Sequence, residues 1–150
     1  MSDPNRMTEG SAAARDRYAA LLDRLRDMPE DEPMTATPAD LIERAFVEIF
    51  QQRDAATRRR AIDELFAPDI VFRDPEGEAH GIPDAAAQID ALIAGMDPAW
   101  TFRSVTPPVQ LGDLAIHRWE LGPQSTAVVT GTDVVFVADG KIAKFYIPVN

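Results

Sequence analysis

Apolar positions along this chain repeat with a helical period in the first half and a strand period in the second. Within residues 11–28, Tyr18, Leu21, Leu22, Leu25 and Met28 fall at i, i+3, i+4, i+7 and i+10, one face of a helix. Ser11 stands where an N-cap belongs, and Arg17, Asp23, Arg24 and Asp27 take the other face. Such a stripe needs a cover, either the main domain or a second subunit. Residues 29–38 (PEDEPMTATP) read as a solvated acidic connector. The expected division is therefore a polar N-terminus, appended helix and linker over 1–33, and a domain over 34–150.

The domain begins with a strong helix signal. Thr37 precedes Pro38, and Asp40 follows three residues on, which gives an N-cap, a proline at the first helical position and an approximate capping box. Leu41, Ile42, Ala45, Phe46, Ile49 and Phe50 make a broad apolar stripe. A further helix is predicted over 55–66, with Ala61, Ile62, Leu65 and Phe66 inward and the run Arg58–Arg60 as a solvated face. Ala67-Pro68-Asp69 reads as a turn, and residues 70–74 (IVFRD) as a short strand ended by Pro75-Glu76-Gly77. A helix over 81–96 stops at Asp97-Pro98. Strands follow over 100–105, 114–121, 127–137 and 141–147, the last two joined by the hairpin signal Asp139-Gly140. Helices first, then a meander of strands, argue for an α+β fold with helices on one face of a curved antiparallel sheet.

Alternation along the strands picks out chemistry. Ile70, Phe72 and Asp74 share one face and Val71 and Arg73 the other; Ala115, His117, Trp119 and Leu121 share a face; Asp133 shares one with Val129, Val135 and Val137. A carboxyl on an otherwise apolar strand face has its pKa raised or demands a partner. Asp74 has a second reading, as the cap of the turn at Pro75-Glu76-Gly77, and Asp133 a second reading as a structural group bonded to backbone or a neighbour. His117 is an acid, a base or an orienter near neutral pH, or else a partly exposed strand histidine. His80 reads as a residue of the mouth or surface.

Composition narrows the classes. The 150 residues are 45% hydrophobic and 27% charged, the balance of one globular domain. A net charge of −10 repels nucleic acid and anionic membrane, so neither is an expected partner. With no cysteine there is no disulfide, no thiolate metal site and no cysteine nucleophile. No apolar run approaches the roughly 20 residues of a bilayer span, the first residues are not a secretory signal, and a cytoplasmic location is the expectation. No HExxH, phosphate loop or GxSxG occurs.

Two motifs, LFAPDIVFRDP (Leu65 to Pro75) and GTDVVFVADGKI (Gly131 to Ile142), with the helices and strands around them, resemble the SnoaL-like branch of the nuclear transport factor 2-like superfamily. The resemblance spans roughly residues 38–149. It implies a cone-shaped, strongly bent sheet of the cystatin-like kind wrapped around helices, with an apolar cavity at its open end and dimerisation through the sheet, so a homodimer is expected. Activities in that superfamily include ketosteroid isomerisation, polyketide cyclisation and dehydration, and other members only bind. By that resemblance Asp74 matches the general base of ketosteroid isomerases and Asp133 their second, protonated Asp that donates to a developing oxyanion. Phe46 matches their oxyanion tyrosine and cannot donate a hydrogen bond.

The expected catalytic residues are thus Asp74, Asp133 and, assisting, His117. The expected pocket wall is Phe46, Phe50, Phe72, Trp100, Trp119 and Val135; plain core packing is the other reading of each aromatic. Arg73 and Arg118 point to the outer face. The functional expectation is cofactor-free, metal-free proton transfer next to a carbonyl of a small, mostly apolar molecule. The rival expectation is a non-catalytic binding or dimerisation module of the same fold.

Overall fold

Thr37 opens the main unit in the manner its sequence predicts. Its hydroxyl accepts from the Asp40 amide at 3.1 Å, and the Asp40 carboxylate accepts from the Thr37 amide at 3.2 Å. This reciprocal cap starts helix α2 (Pro38–Ala45). The computed structural model describes residues 14–21, 23–24 and 36–148. It divides into two compact units, Met1–Thr35 and Ala36–Asn150. In the first, residues 14–21 and 23–24 are helical (α1). Ser11, Leu22, Leu25, Met28 and the linker over 29–35 lie outside the described residues.

α2 continues into a π-helical turn, Phe46–Phe50, rather than into further α-helix. Such turns hold an extra residue and re-aim the side chains around them. Here Phe46, Ile49 and Phe50 are all buried. Asp54 caps helix α3 (Ala55–Leu65) by accepting from the Thr57 amide at 2.9 Å. One expectation fails on α3. Arg58 is buried, not solvated: Nη2 meets Asp90 at 2.8 Å and Nη1 donates to the Gln52 carbonyl at 2.6 Å. Its neighbours Arg59 and Arg60 are exposed, as three adjacent helical positions require.

Seven strands among the described residues form one sheet in the order β2-β1-β7-β6-β5-β3, with β4 paired to β5. They are β1 (Phe66–Asp74), β2 (Gly77–His80), β3 (Thr101–Ser104), β4 (Val109–Leu111), β5 (Leu114–Gly122), β6 (Val129–Ala138) and β7 (Lys141–Tyr146), with helix α4 (Ile82–Ala94) between β2 and β3. The fold is α+β with a curved, unclosed sheet. All pairings are antiparallel except β1 with β7, which is parallel. The predicted turn at Ala67-Pro68-Asp69 is instead part of β1. Its register against β7 shifts between Phe66 and Val71, so the proline sits in a bulge where no ladder donor is needed. The Asp139-Gly140 hairpin forms as expected, with φ of 52° and 75°, the left-handed pair of a type I′ turn.

The core lies between the helices and the inner sheet face. Phe145 on β7 is its centre, with ring centroids of Phe50, Phe72 and Phe66 at 5.4, 5.7 and 5.9 Å. Alternation holds on β1: Ile70, Phe72 and Asp74 are buried while Arg73 faces out over the Tyr146 ring at 5.2 Å. Among the described residues no helix is long and apolar enough to cross a membrane.

Candidate functional site

At one end of this core the packing opens. A cavity of about 180 Å³ is walled by Phe46, Phe50, Leu92, Phe102, Trp119, Leu121, Val129 and Ile147, with Pro75 and the carboxyl groups of Asp74, Glu76 and Asp133. The elements supply these residues for local reasons. The π-helical turn aims Phe46 and Phe50 inward. On β5 and β6, Leu121 pairs with Val129, Trp119 with Gly131 and His117 with Asp133, so alternate pairs share the inner face.

Asp74 ends β1 and its Oδ1 carries the whole local network. It accepts from the Glu76 amide at 2.9 Å, the Gly77 amide at 3.2 Å and Gln88 Nε2 at 2.7 Å. The first two bonds are the turn cap read from the sequence, with Pro75 at the position that favours a tight turn. The third comes from α4. Oδ2 has no protein partner, and the residue keeps 9% exposure. The cap and the cavity position therefore coexist: one oxygen holds the turn and the other is left for a ligand.

Asp133 is 2% exposed. Its Oδ1 accepts from Trp119 Nε1 at 2.8 Å, and its Oδ2 takes no hydrogen bond from the protein. Burial pushes its pKa up to about 7, against the smaller downward pull of the indole N–H. At neutral pH this carboxyl is divided between its acid and ionised forms. An acid here has a proton to give, and the unpaired oxygen is the atom that can give it to something in the cavity.

Trp119 reaches Asp133 only because its strand partner has no side chain. A Cβ on Gly131 would come within 2.7 Å of Cη2 and 2.8 Å of Cε2 of the indole, and closer still to Cζ2. The ring cannot swing freely, since it stands edge-on to Phe102 at 5.1 Å. The expected result for Gly131→Ala is a loss of about 1–3 kcal/mol with a changed Trp119 indole N–H resonance. Urea unfolding and a ¹⁵N–¹H spectrum measure both. An unmoved resonance together with unchanged stability would refute the close-approach argument.

The other expected residues are placed as follows. Phe46, Phe50 and Trp119 line the cavity. Phe72 does not: it lies wholly in the core, covered by Phe50 and Phe145. Val135 is likewise fully buried, opposite Ala115 on β5 and Phe145 on β7. Trp100 precedes β3 and lines a neighbouring cleft that also touches Asp74, Glu76 and Gln88. His117 is 2% exposed but stands behind the wall, with the Phe46 ring 4.6 Å away edge to face. No bond joins it to Asp133. Its Nε2 is 2.7 Å from Ser104 Oγ, and its Nδ1 has no partner. Burial lowers its pKa and so favours the neutral ring, an effect that the nearby Glu43 partly offsets. Ser104 Oγ also donates to the Thr106 carbonyl at 3.1 Å. With the serine proton there, His117 donates from Nε2 and leaves only a bare Nδ1 lone pair unpaired. His80 is 69% exposed beside Glu78, at the surface. Among the described residues no cluster of three or more His, Asp or Glu groups is arranged to hold a metal ion.

Sequence reasoning missed Gln88, Glu76, Leu92, Phe102 and Ile147, and it placed Leu121 and Val129 on the inner strand faces without assigning them to the cavity wall. For Gln88 a signal existed. It lies three residues after Ala85 and four before Leu92, so a polar amide sits on the edge of the buried face of α4.

Comparison with known proteins adds the following. The SnoaL-like domain family model matches residues 44–145. No curated protein matches the sequence. Solved structures do. A proposed isomerase of the SnoaL-like family from Agrobacterium tumefaciens is 23% identical, over 73% of this chain and 94% of that one, with a TM-score of 0.67. A proposed SnoaL-like polyketide cyclase from Jannaschia sp. CCS1 is 18% identical, over 81% and 92%, with a TM-score of 0.63. A protein of unknown function with a cystatin-like fold from Xanthomonas campestris is 17% identical, over 75% and 90%, with a TM-score of 0.61. At these identities the likeness is one of fold.

Proposed function

We propose that this chain, which belongs to the SnoaL-like domain family, is a cofactor-free catalyst of proton transfer next to a carbonyl group, in the class of isomerases, cyclases and dehydratases. The observation that carries the reading is the different bonding and burial of two carboxyls on one apolar cavity. Asp74 receives three N–H donors on one oxygen and leaves the other free to accept. Asp133 is buried, holds a proton up to about pH 7 and leaves an oxygen free to donate. Acid–base chemistry on a carbonyl compound needs one group of each kind.

In this scheme Asp74 Oδ2 removes the proton from the carbon beside the carbonyl. The C–H pair becomes a C=C bond, and the carbonyl oxygen gains electron density that the Asp133 acid stabilises by hydrogen bonding or protonation. Return of the proton from Asp74 to another carbon isomerises the substrate; loss of a hydroxyl from the carbon beyond, which takes that proton and leaves as water, dehydrates it. Trp119 holds the Asp133 carboxyl in place through its other oxygen. Phe46, which by resemblance stands where ketosteroid isomerases carry their tyrosine donor, supplies only a wall, so donation to the oxygen falls to Asp133. The same reading pairs two copies through the outer sheet face around Val134, Phe136 and Tyr146; a monomer mass by analytical ultracentrifugation at micromolar concentration would remove that part.

The test is exchange of the α-protons of carbonyl compounds of one to four rings in D₂O, followed by NMR. Catalysed exchange is expected, and it falls as pH rises above about 7, because Asp133 then loses the proton it donates. Binding without exchange for every compound would favour a non-catalytic binding module, a reading that the missing donor at Phe46 supports.

A further inference from the structure

The cavity limits what can occupy it by size and by charge. An engineered apolar cavity of about 150 Å³ holds one benzene molecule, and this one, at about 180 Å³, is slightly larger. It fits one six-membered ring and a substituent or two. A steroid, with four fused rings, exceeds it and would have to extend into the cleft beside it, lined by Gln88, Met96 and Trp100. The charge argument is separate. Three carboxyl groups and no Lys, Arg or His line the cavity among the described residues. A ligand anion would enter a low-dielectric space facing like charge, with no cation to pair it. A ligand cation would lose its own hydration among aromatic and aliphatic walls; of the carboxyl groups that could repay this, Asp133 holds its proton up to about pH 7, Glu76 is exposed to solvent, and Asp74 is already bound by three N–H donors.

We infer that the ligand is an uncharged molecule of a single ring that carries one carbonyl oxygen, held with its ring between Phe50, Phe102 and Leu121, its oxygen toward Asp133 and the carbon beside the carbonyl toward Asp74. This rests on the proton-transfer reading only for the carbonyl; the limits on size and charge stand on the cavity itself. The ring supplies affinity by burying apolar area, about 25 cal/mol per Å². The oxygen supplies orientation by taking a hydrogen bond from the one acid on the wall that holds a proton. That proton also fixes the polarity of the contact, since the ligand must accept at this point.

The experiment titrates the full chain at pH 6, where Asp133 is protonated, with five probes: cyclohex-2-enone, toluene, benzoate, benzylamine and androst-4-ene-3,17-dione. Binding is read from the Trp119 indole N–H resonance, assigned with Trp119→Phe. Cyclohex-2-enone is expected to move that resonance with a Kd at least tenfold below those of benzoate, benzylamine and the steroid dione. A steroid dione that binds as tightly as cyclohex-2-enone overturns the size limit and leaves the carbonyl reading standing. Benzoate or benzylamine binding most tightly overturns the charge limit. Toluene equal to cyclohex-2-enone defeats the carbonyl reading and leaves size and charge intact. Failure of every one-ring probe to shift the resonance overturns the inference as a whole.

Discussion

Asp74→Asn is expected to lower α-proton exchange by about 10²–10⁴-fold, the usual contribution of a positioned general base, and to leave the fold standing. The substitution is nearly isosteric, and its effect falls on one atom. The amide oxygen can take the place of Oδ1 and go on accepting from the Glu76 and Gly77 amides and from Gln88. The turn between β1 and β2 therefore keeps its cap. The amide nitrogen takes the place of Oδ2, and it has no lone pair for a substrate proton. Probe binding is expected to change little, since the apolar wall is untouched. Exchange rates and urea unfolding on the same preparation separate the two effects. A variant that keeps wild-type exchange would remove Asp74 from the chemistry. A variant that loses exchange only because it unfolds would show its turn-capping role alone.

Asp133→Asn is expected to make the protein more stable at neutral pH and to remove a slope in its stability curve. The folded state holds the Asp133 proton up to about pH 7, whereas an unfolded aspartate releases it near 3.9. Below about pH 4 both states are protonated and Asp133 contributes no pH dependence. Between that point and pH 7 the unfolded state binds fewer protons than the folded one, so stability falls as pH rises. Above pH 7 the loss is complete, and its size is on the order of 4 kcal/mol. Asparagine does not titrate and still offers an oxygen to Trp119 Nε1. The stability advantage of the variant should therefore grow across this window and level off beyond it. His117 acts with the opposite sign: its depressed pKa gives stability that is present above about pH 6.5 and lost as pH falls below it. That contribution is common to both proteins and cancels in their difference. A difference that stays flat from pH 4 to 8 would mean that Asp133 ionises in the fold as it does in water.

Much of this architecture was readable from residue order, and the reasons are local. The Thr37-Pro38-Asp40 cap, the Asp139-Gly140 turn and the inward faces of β1, β5 and β6 depend on neighbours within a few positions, which a pattern can carry. β2 and β4 were invisible because GEAH and VQL are short and hold few branched or aromatic residues; pairing with β1 and β5 makes them strands. The π-helical turn at Phe46 was hidden because its apolar spacing also suits an α-helix. Arg58 was misread because its burial is made tolerable by Asp90, on another helix, and by the Gln52 carbonyl. In the site, alternation brought Asp74, Asp133 and Trp119 to the correct face. It could not say how deep each sits along the cone. Phe72 and Val135 share faces with those residues and are sealed in the core, while His117 is screened by Phe46. Depth depends on what packs above each position, and that comes from elements far apart in sequence.

The parallel pairing of β1 with β7 has a consequence for the order in which the molecule can be made. β7 is the strand that joins the early half, α2 through α4 with β1 and β2, to the meander of β3 to β6. On the ribosome β1 emerges about 70 residues ahead of its main partner, a distance set by the register that pairs Phe72 with Phe145. Until β7 is out, β1 has only the short β2 beside it as a strand partner. Folding of this unit therefore cannot be completed before β7 has emerged. A nascent chain stalled a few residues before β7 exposes a β-branched strand to other chains, which is the state that aggregates or recruits a chaperone.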